Sequence, residues 1–436
     1  MPEWCVAVLL ALASLLWSFA AITASPALAN LGEWTYVDYS YRLAEGELPV
    51  QGDGLTEYVR EAWSCRGMDG ALRGETPPPC EDVADSSVRD WPIAGENYNA
   101  FHPPLYFGFA AGTAKSLEAV GVDFIDGARI ASALLAAIGT AWLYYAIRLW
   151  DVRRRNAIGA TLIALSTPTI AHAAAIVHND AISMIAGAAA VWLAARIFKH
   201  HNHGWILPFT IAVLITLTRT LSVVAVLGVG VLVFFVALFS AGERWTRLKP
   251  AFAIVAGTFL PYVAWTAFQN GRRPEGYVPA IDGLSTDVFV LGDIPAVINT
   301  IIGAGAPWGL TSPSSHWSMH PDLTSGLLEG WSWLLYAAFL ILIPVALYIW
   351  IKGSGSIRHL AALVIILPVT TALVVQVREL LSNDSFFRAV PARYAITAVP
   401  MYAAFLGVLA DRLPKDWILP AIGTAGYAAL LASPFI

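Results

Sequence analysis

Runs of apolar residues long enough to cross a bilayer recur along the whole chain, and they restrict its fold more than any other feature. They lie at 4–24, 129–150, 157–177, 181–198, 204–240, 250–268, 326–351, 359–377, 394–410 and 416–435. A helix needs about 20 apolar residues to span the hydrocarbon core, so the run at 204–240 has room for two crossings. In hydrocarbon the backbone must satisfy its own hydrogen bonds, and runs without period-two alternation do so as helices and not as barrel strands. Hydrophobic residues make up 57% of the chain and charged residues 13%, with a mean hydropathy of +0.62, outside the range of soluble domains. The expectation is an all-α polytopic membrane protein, one membrane domain over 1–436, with about 11 or 12 transmembrane helices.

Basic residues set the orientation. Arg153, Arg154 and Arg155; Arg196 and Lys199; Arg244, Arg247 and Lys249; Lys352 and Arg358; and Arg412 and Lys415 fall in short connections, which are expected on the cytoplasmic side. Residues 30–100 hold 14 acids against 5 arginines and no lysine, a charge of −9 in a chain of net −5, and are expected outside. Ala27-Leu28-Ala29 imitates a signal cleavage site, but Glu3 and the lack of Lys or Arg before the first run favour a retained helix. With the first helix ending outside and 129–150 running inward to the arginine cluster, 101–120 is not expected to be a simple complete crossing; the alternative is that the arginine cluster lies outside, and this parity question leaves the count at about 11 or 12. Pro103, Pro104, Lys115 and Glu118 there suit a half-inserted or surface helix.

Two regions are too long to be mere connections: a first extracytoplasmic loop at 25–100 with short surface helices, and a second large one at 269–325 rich in Gly, Pro, Ser and Asp. Cys65 and Cys80 both fall in the first and are expected to pair as a disulfide in an oxidising compartment. A short outer loop at 378–393 carries Arg378, Arg388 and Arg393 against the positive-inside tendency, which suits an anionic ligand or snorkelling at helix ends.

Several motifs follow one another in order: Asp38 to Pro49 (DYSYRLAEGELP), His102 to Phe107 (HPPLYF), Ala128-Arg129, His178-Asn179-Asp180, and Ala392-Arg393-Tyr394. In this order they resemble the GT-C superfamily of integral membrane glycosyltransferases, the group of protein O-mannosyltransferases and the lipid A aminoarabinose transferase. The resemblance implies an active site at the extracytoplasmic surface of the plasma (inner) membrane and a polyprenyl-phosphate sugar as donor. It also implies an acid at the end of the first loop helix as catalytic base, and a cell-envelope glycan, lipid or protein as acceptor. Where relatives often carry a second acid after the first, this chain has Tyr39, which argues against a tightly paired acidic metal site.

Displacing phosphate from an anomeric carbon requires a base for the acceptor hydroxyl and cations for the leaving phosphate. Asp38 is the candidate base; it also reads as an i,i+4 ion pair with Arg42. Asp180 is a candidate for substrate contact or for a divalent ion, Mg or Mn, although Asn179 and Asp180 equally suit a helix cap. His102, rigidly aimed beside two prolines, is a candidate sugar or phosphate contact. Arg219, interrupting an apolar run, together with Arg388, Arg393 and Tyr394, completes the candidate substrate-binding set.

Other chemistries lack their residues: no P-loop, HExxH pair, nucleophile elbow or nucleic-acid-binding tract is present. The competing reading is a lipid or solute transporter or flippase, which would spread its charges through the span centres and repeat itself internally. Here the charges gather near one surface, and no repeat is evident.

Overall fold

The computed structural model describes residues 1–30, 32–67, 76–239, 244–278, 323–383 and 392–436. Among them there are helices and one isolated bridge, Gly54 to Glu96, but no strand. The all-α expectation holds. The helices are α1 (Glu3–Ala24), α2 (Glu33–Ala44), α3 (Glu57–Arg66), α4 (Leu105–Glu118), α5 (Phe124–Arg148), α6 (Arg154–Leu165), α7 (Pro168–Ala173) and α8 (Ser183–Ala194). They continue with α9 (Ile206–Thr218), α10 (Val224–Leu238), α11 (Arg244–Arg272), α12 (Gly326–Lys352), α13 (Ile357–Asn383), α14 (Val399–Ala410) and α15 (Ile418–Ala432).

Among the described residues nine helical segments are long and apolar enough to cross a membrane, and α9 is a shorter apolar helix. The run at 157–177 divides into α6 and α7 because Pro168 lacks an N–H and disfavours helical geometry at Thr167. Within 204–240 the break falls at Arg219, which is extended (φ −158, ψ 115) between α9 and the turn leading to α10. Close packing uses small residues, as expected in a membrane. A Cβ on Gly159 would come within 2.6 Å of the Leu419 carbonyl oxygen, so α6 and α15 approach backbone to backbone.

Polar contacts give the bundle two distinct ends. At one, Glu3 of α1 meets Arg148 and Arg154, while Arg155 pairs with Asp416. Lys199 donates to the Leu149 carbonyl there, and His359 stacks on Phe198. At the other, Arg129 of α5 reaches the Ser25 and Ala27 carbonyls, and the end of α11 meets residues 48–51 and 100–101. The basic connections therefore collect opposite the acidic first loop.

Helix α4 does not link the two ends. Tyr106, near its start, bonds Ser132 at 2.7 Å, one turn into α5 beyond Arg129, while Lys115 near its end pairs with Glu45 at 2.9 Å and lies over the Phe124 ring. It runs alongside only the first turns of α5 and returns to the first-loop end. A Cβ on Gly127 would come within 2.8 Å of the Ala114 Cα, so glycine is what permits this contact.

The first loop is a packed layer. Helix α2 is not a surface helix: Glu33 to Ser40 are all buried. Trp34 stacks on Trp63 (4.4 Å), Tyr39 on Phe107 (3.9 Å) and Tyr41 on Tyr58 (4.4 Å), so the aromatic residues supply the core that this polar segment otherwise lacks. Cys65 and Cys80 form the expected disulfide. Most of the second large loop, 279–322, lies outside the described residues.

Candidate active site

The site forms where α2, the turn at 101–104, the turn at 177–182, the break at Arg219 and the end of α13 meet. The turn at 101–104 is fixed by its own carbonyls, since Pro103 and Pro104 have no N–H groups to anchor it. Gln269 donates to the Ala100 carbonyl (3.2 Å), Trp265 to that of Phe101 (2.8 Å) and Tyr39 to that of His102 (2.9 Å). Three consecutive carbonyls are thus held by side chains of α11 and α2, and His102 is aimed by them.

Tyr36 lies at the centre. Its ring sits 4.2 Å from His178 and 5.8 Å from His102, with its hydroxyl 3.4 Å from His102 Nε2. His102 is half-buried and held well below its ordinary pKa, first by burial and then by the nearby Arg219 and Arg378 guanidinium groups, so it is neutral at physiological pH.

His178 caps the following turn: its Nδ1 accepts the Asp180 backbone N–H at 3.0 Å. A neutral imidazole has one acceptor nitrogen, so Nε2 carries the proton. That Nε2 is 3.4 Å from an Arg393 guanidinium nitrogen. Among the described residues two donors lie side by side with no acceptor between them, and a third, Arg393 Nε, is buried without a hydrogen-bond partner. An oxyanion would complete this arrangement.

Asp180 is buried in an ion pair with Arg219, which also reaches the Ser222 hydroxyl at 3.4 Å. Arg393 lies 5.4 Å over the buried Tyr394 ring, and Arg378 lies 5.6 Å over Phe101. Among the described residues neither Arg378 nor Arg393 pairs with a carboxylate. Among the described residues Asp180 is thus the one acid beside Arg219 and Arg393, with Arg378 a further cation against the 101–104 turn, a surplus that suits an anionic ligand.

His102, Asp180, Arg219, Arg393 and Tyr394 are thereby brought to one place. Arg388 lies outside the described residues. Asp38 is adjacent but faces elsewhere. Two residues on from Tyr36, it is turned about 200° around α2. One of its carboxylate oxygens accepts the Thr56 amide (2.7 Å) and hydroxyl (2.8 Å), the other Asn97 (2.8 Å) and Arg42 (3.0 Å). The side chain is fully buried, and among the described residues no hydrogen bond or ion pair joins it to the arginine cluster.

Among the described residues no three His, Cys, Asp or Glu side chains gather as metal ligands. Asp180, the residue expected to bind a divalent ion, is paired with Arg219.

Sequence reasoning passed over Tyr36 and His178 as a donor, and noted Arg378 for an anionic ligand without placing it in the candidate binding set. It also passed over Glu33, whose carboxylate binds Arg129 at 2.8 Å and accepts the Ala29 (2.7 Å) and Val177 (2.8 Å) amides. That network ties α1, α2 and α5 to the residue preceding His178.

No curated protein matches the chain. Residues 102–266, from His102 through nearly all of α11, match the family model of dolichyl-phosphate-mannose-protein mannosyltransferase, so this stretch, bearing His102, Asp180 and Arg219, is similar to GT-C-type membrane glycosyltransferases.

Proposed function

We propose that the protein transfers a monosaccharide, with inversion, from a polyprenyl-phosphate sugar to a cell-envelope glycan, lipid or protein at the extracytoplasmic face of the plasma membrane. The observation that supports this best is the surplus of cations around His102 and His178: Arg219 and Arg393 beside both and Arg378 beside His102, with Asp180 the one carboxylate among them in the described residues. Guanidinium groups match phosphate oxygens in paired hydrogen bonds, and the donor phosphate supplies one of the missing negative charges. His178 Nε2–H and Arg393 hold one phosphate oxygen, Arg219 a second, and Tyr394 supports Arg393 from beneath. His102 and Asp180 shape the donor site around them.

In the reaction the acceptor oxygen bonds to the anomeric carbon, the carbon–oxygen bond to phosphate breaks, and its electron pair leaves on the phosphate. The acceptor proton goes to a carboxylate, for which Asp38 is the proposed residue. The sugar carries its own activated bond, so no nucleotide is consumed.

Purified protein incubated with a panel of polyprenyl-phosphate sugars is expected to release polyprenyl phosphate with at least one of them. Movement of lipid between leaflets without release, from every donor tried, would favour the transporter reading. Release is expected to be unchanged by EDTA, because the arginines neutralise the phosphate; loss in chelator with recovery on Mg or Mn would restore the metal to the site.

The disulfide and the opposed basic connections support the assignment of sides. In intact cells an impermeant thiol reagent is expected to label Lys115→Cys and not Arg153→Cys. The reverse pattern would invert the topology.

A further inference from the structure

We propose that Arg378 is the residue by which the site distinguishes the lipid phosphate it releases from the lipid-phosphate sugar it takes up. This rests on the donor reading above. Of the three guanidinium groups, Arg219 is neutralised by Asp180, leaving Arg393 and Arg378 without carboxylate partners among the described residues. A polyprenyl-phosphate sugar is a phosphodiester and carries one negative charge. When the bond from the anomeric carbon to the phosphate oxygen breaks, the electron pair stays on that oxygen while the acceptor proton goes to the base. The lipid phosphate therefore leaves as a monoester, with a charge approaching two at neutral pH. Arg393, beside His178, balances the charge the donor brings. Arg378 is the cation left over for the charge that exists only after bond breaking.

The placement of Arg378 suits that task. It comes from the end of α13, a different element from those carrying His178 and Arg219, and is half-buried. Its guanidinium lies over the Phe101 ring, and Phe101 is fixed by the Trp265 bond to its carbonyl. An aromatic face holds a guanidinium in place without neutralising it, so the full charge stays available. The Phe101 ring is 4.2 Å from that of His102, which puts Arg378 against the same turn as the His102 imidazole. A cation that interacts more strongly once charge develops favours the transition state over the bound donor.

The test uses full-length protein in nanodiscs and two probes of equal chain length, polyprenyl phosphate and its O-methyl ester, which has the single charge of the donor. Wild type is expected to bind the monoester about tenfold more tightly than the methyl ester, the effect of one further charge contact. In Arg378→Gln that ratio is expected to fall to near one, with affinity for the methyl ester little altered. Arg378→Met, which keeps an apolar stem over Phe101, provides the same reading should the glutamine variant fail to fold. Arg378→Lys is expected to recover most of the ratio. A folded Arg378→Gln or Arg378→Met protein with the wild-type ratio would overturn the assignment. So would one that weakens both lipids equally, since Arg378 would then be a general phosphate contact. Wild type binding neither lipid would overturn the donor reading and this one together.

Discussion

Asp38→Asn is expected to lower sugar transfer by about 10²- to 10⁴-fold, the usual contribution of a positioned general base. The donors around Asp38 make this a demanding expectation. Its carboxylate already accepts from Thr56 twice, from Asn97 and from Arg42, so both oxygens are occupied before an acceptor arrives. If Asp38 acts as base, the acceptor must displace one of these donors on arrival, and Arg42, the longest at 3.0 Å, is the one to yield. Asparagine would set its amide group against Asn97 or Arg42, at a cost of about 1–3 kcal/mol, so the melting temperature must be read with the rate. A folded Asp38→Asn protein that transfers sugar at close to the wild-type rate would make Asp38 a residue that positions α2. The acid for the reaction would then be sought in the cation cluster, where Asp180 is the one described carboxylate.

The largest loss of stability is expected at the Glu33–Arg129 pair. Side-chain exposure there is 0% for Glu33 and 1% for Arg129, and the pair also binds two backbone amides and two carbonyls. Glu33→Ala leaves Arg129 charged, buried and unpaired, which costs about 3–5 kcal/mol. Removing both charges is expected to recover part of this and not all, because the Ala29 and Val177 amides stay without their acceptor. Burial alone would raise the Glu33 pKa, but Arg129 and the two amides outweigh it and hold the carboxyl below its ordinary value. A depressed carboxylate stabilises the folded state fully above its unfolded pKa, about 4.3, and that contribution is lost as pH falls through the lowered folded value. Thermal unfolding of Glu33→Ala in detergent checks the magnitude. An unchanged midpoint would mean the pair is not what anchors the first loop.

The spans were legible in the sequence because hydrocarbon demands about 20 apolar residues at a stretch and tolerates little else. That α4 does not link the two ends of the bundle was expected from parity, since the first helix and the inward-running 129–150 left no place for a full crossing between them. Cys65 and Cys80 were legible from their shared acidic loop. Contacts set by the tertiary fold were not. Thr56 and Asn97 stand 18 and 59 residues from Asp38, and nothing in their types announces that they close around its carboxylate. Tyr36 reads as one aromatic among many until His102 and His178 meet it. Arg378 read as an anomaly of charge and became part of the site only when α13 laid it over Phe101. The first loop was expected to hold short surface helices, yet the tyrosines and tryptophan of α2 stack into the first-loop core, which is why it is buried.

The central claim is that Arg219, Arg393 and His178 hold the phosphate of a lipid-borne sugar. Equilibrium binding of a polyprenyl-phosphate sugar to wild type, Arg393→Gln and His178→Ala in nanodiscs tests it most directly. Each lost charge-assisted or neutral donor is expected to weaken binding, by about 10- to 100-fold for Arg393→Gln and about tenfold or less for His178→Ala. Wild-type affinity in a folded Arg393→Gln protein would contradict the account.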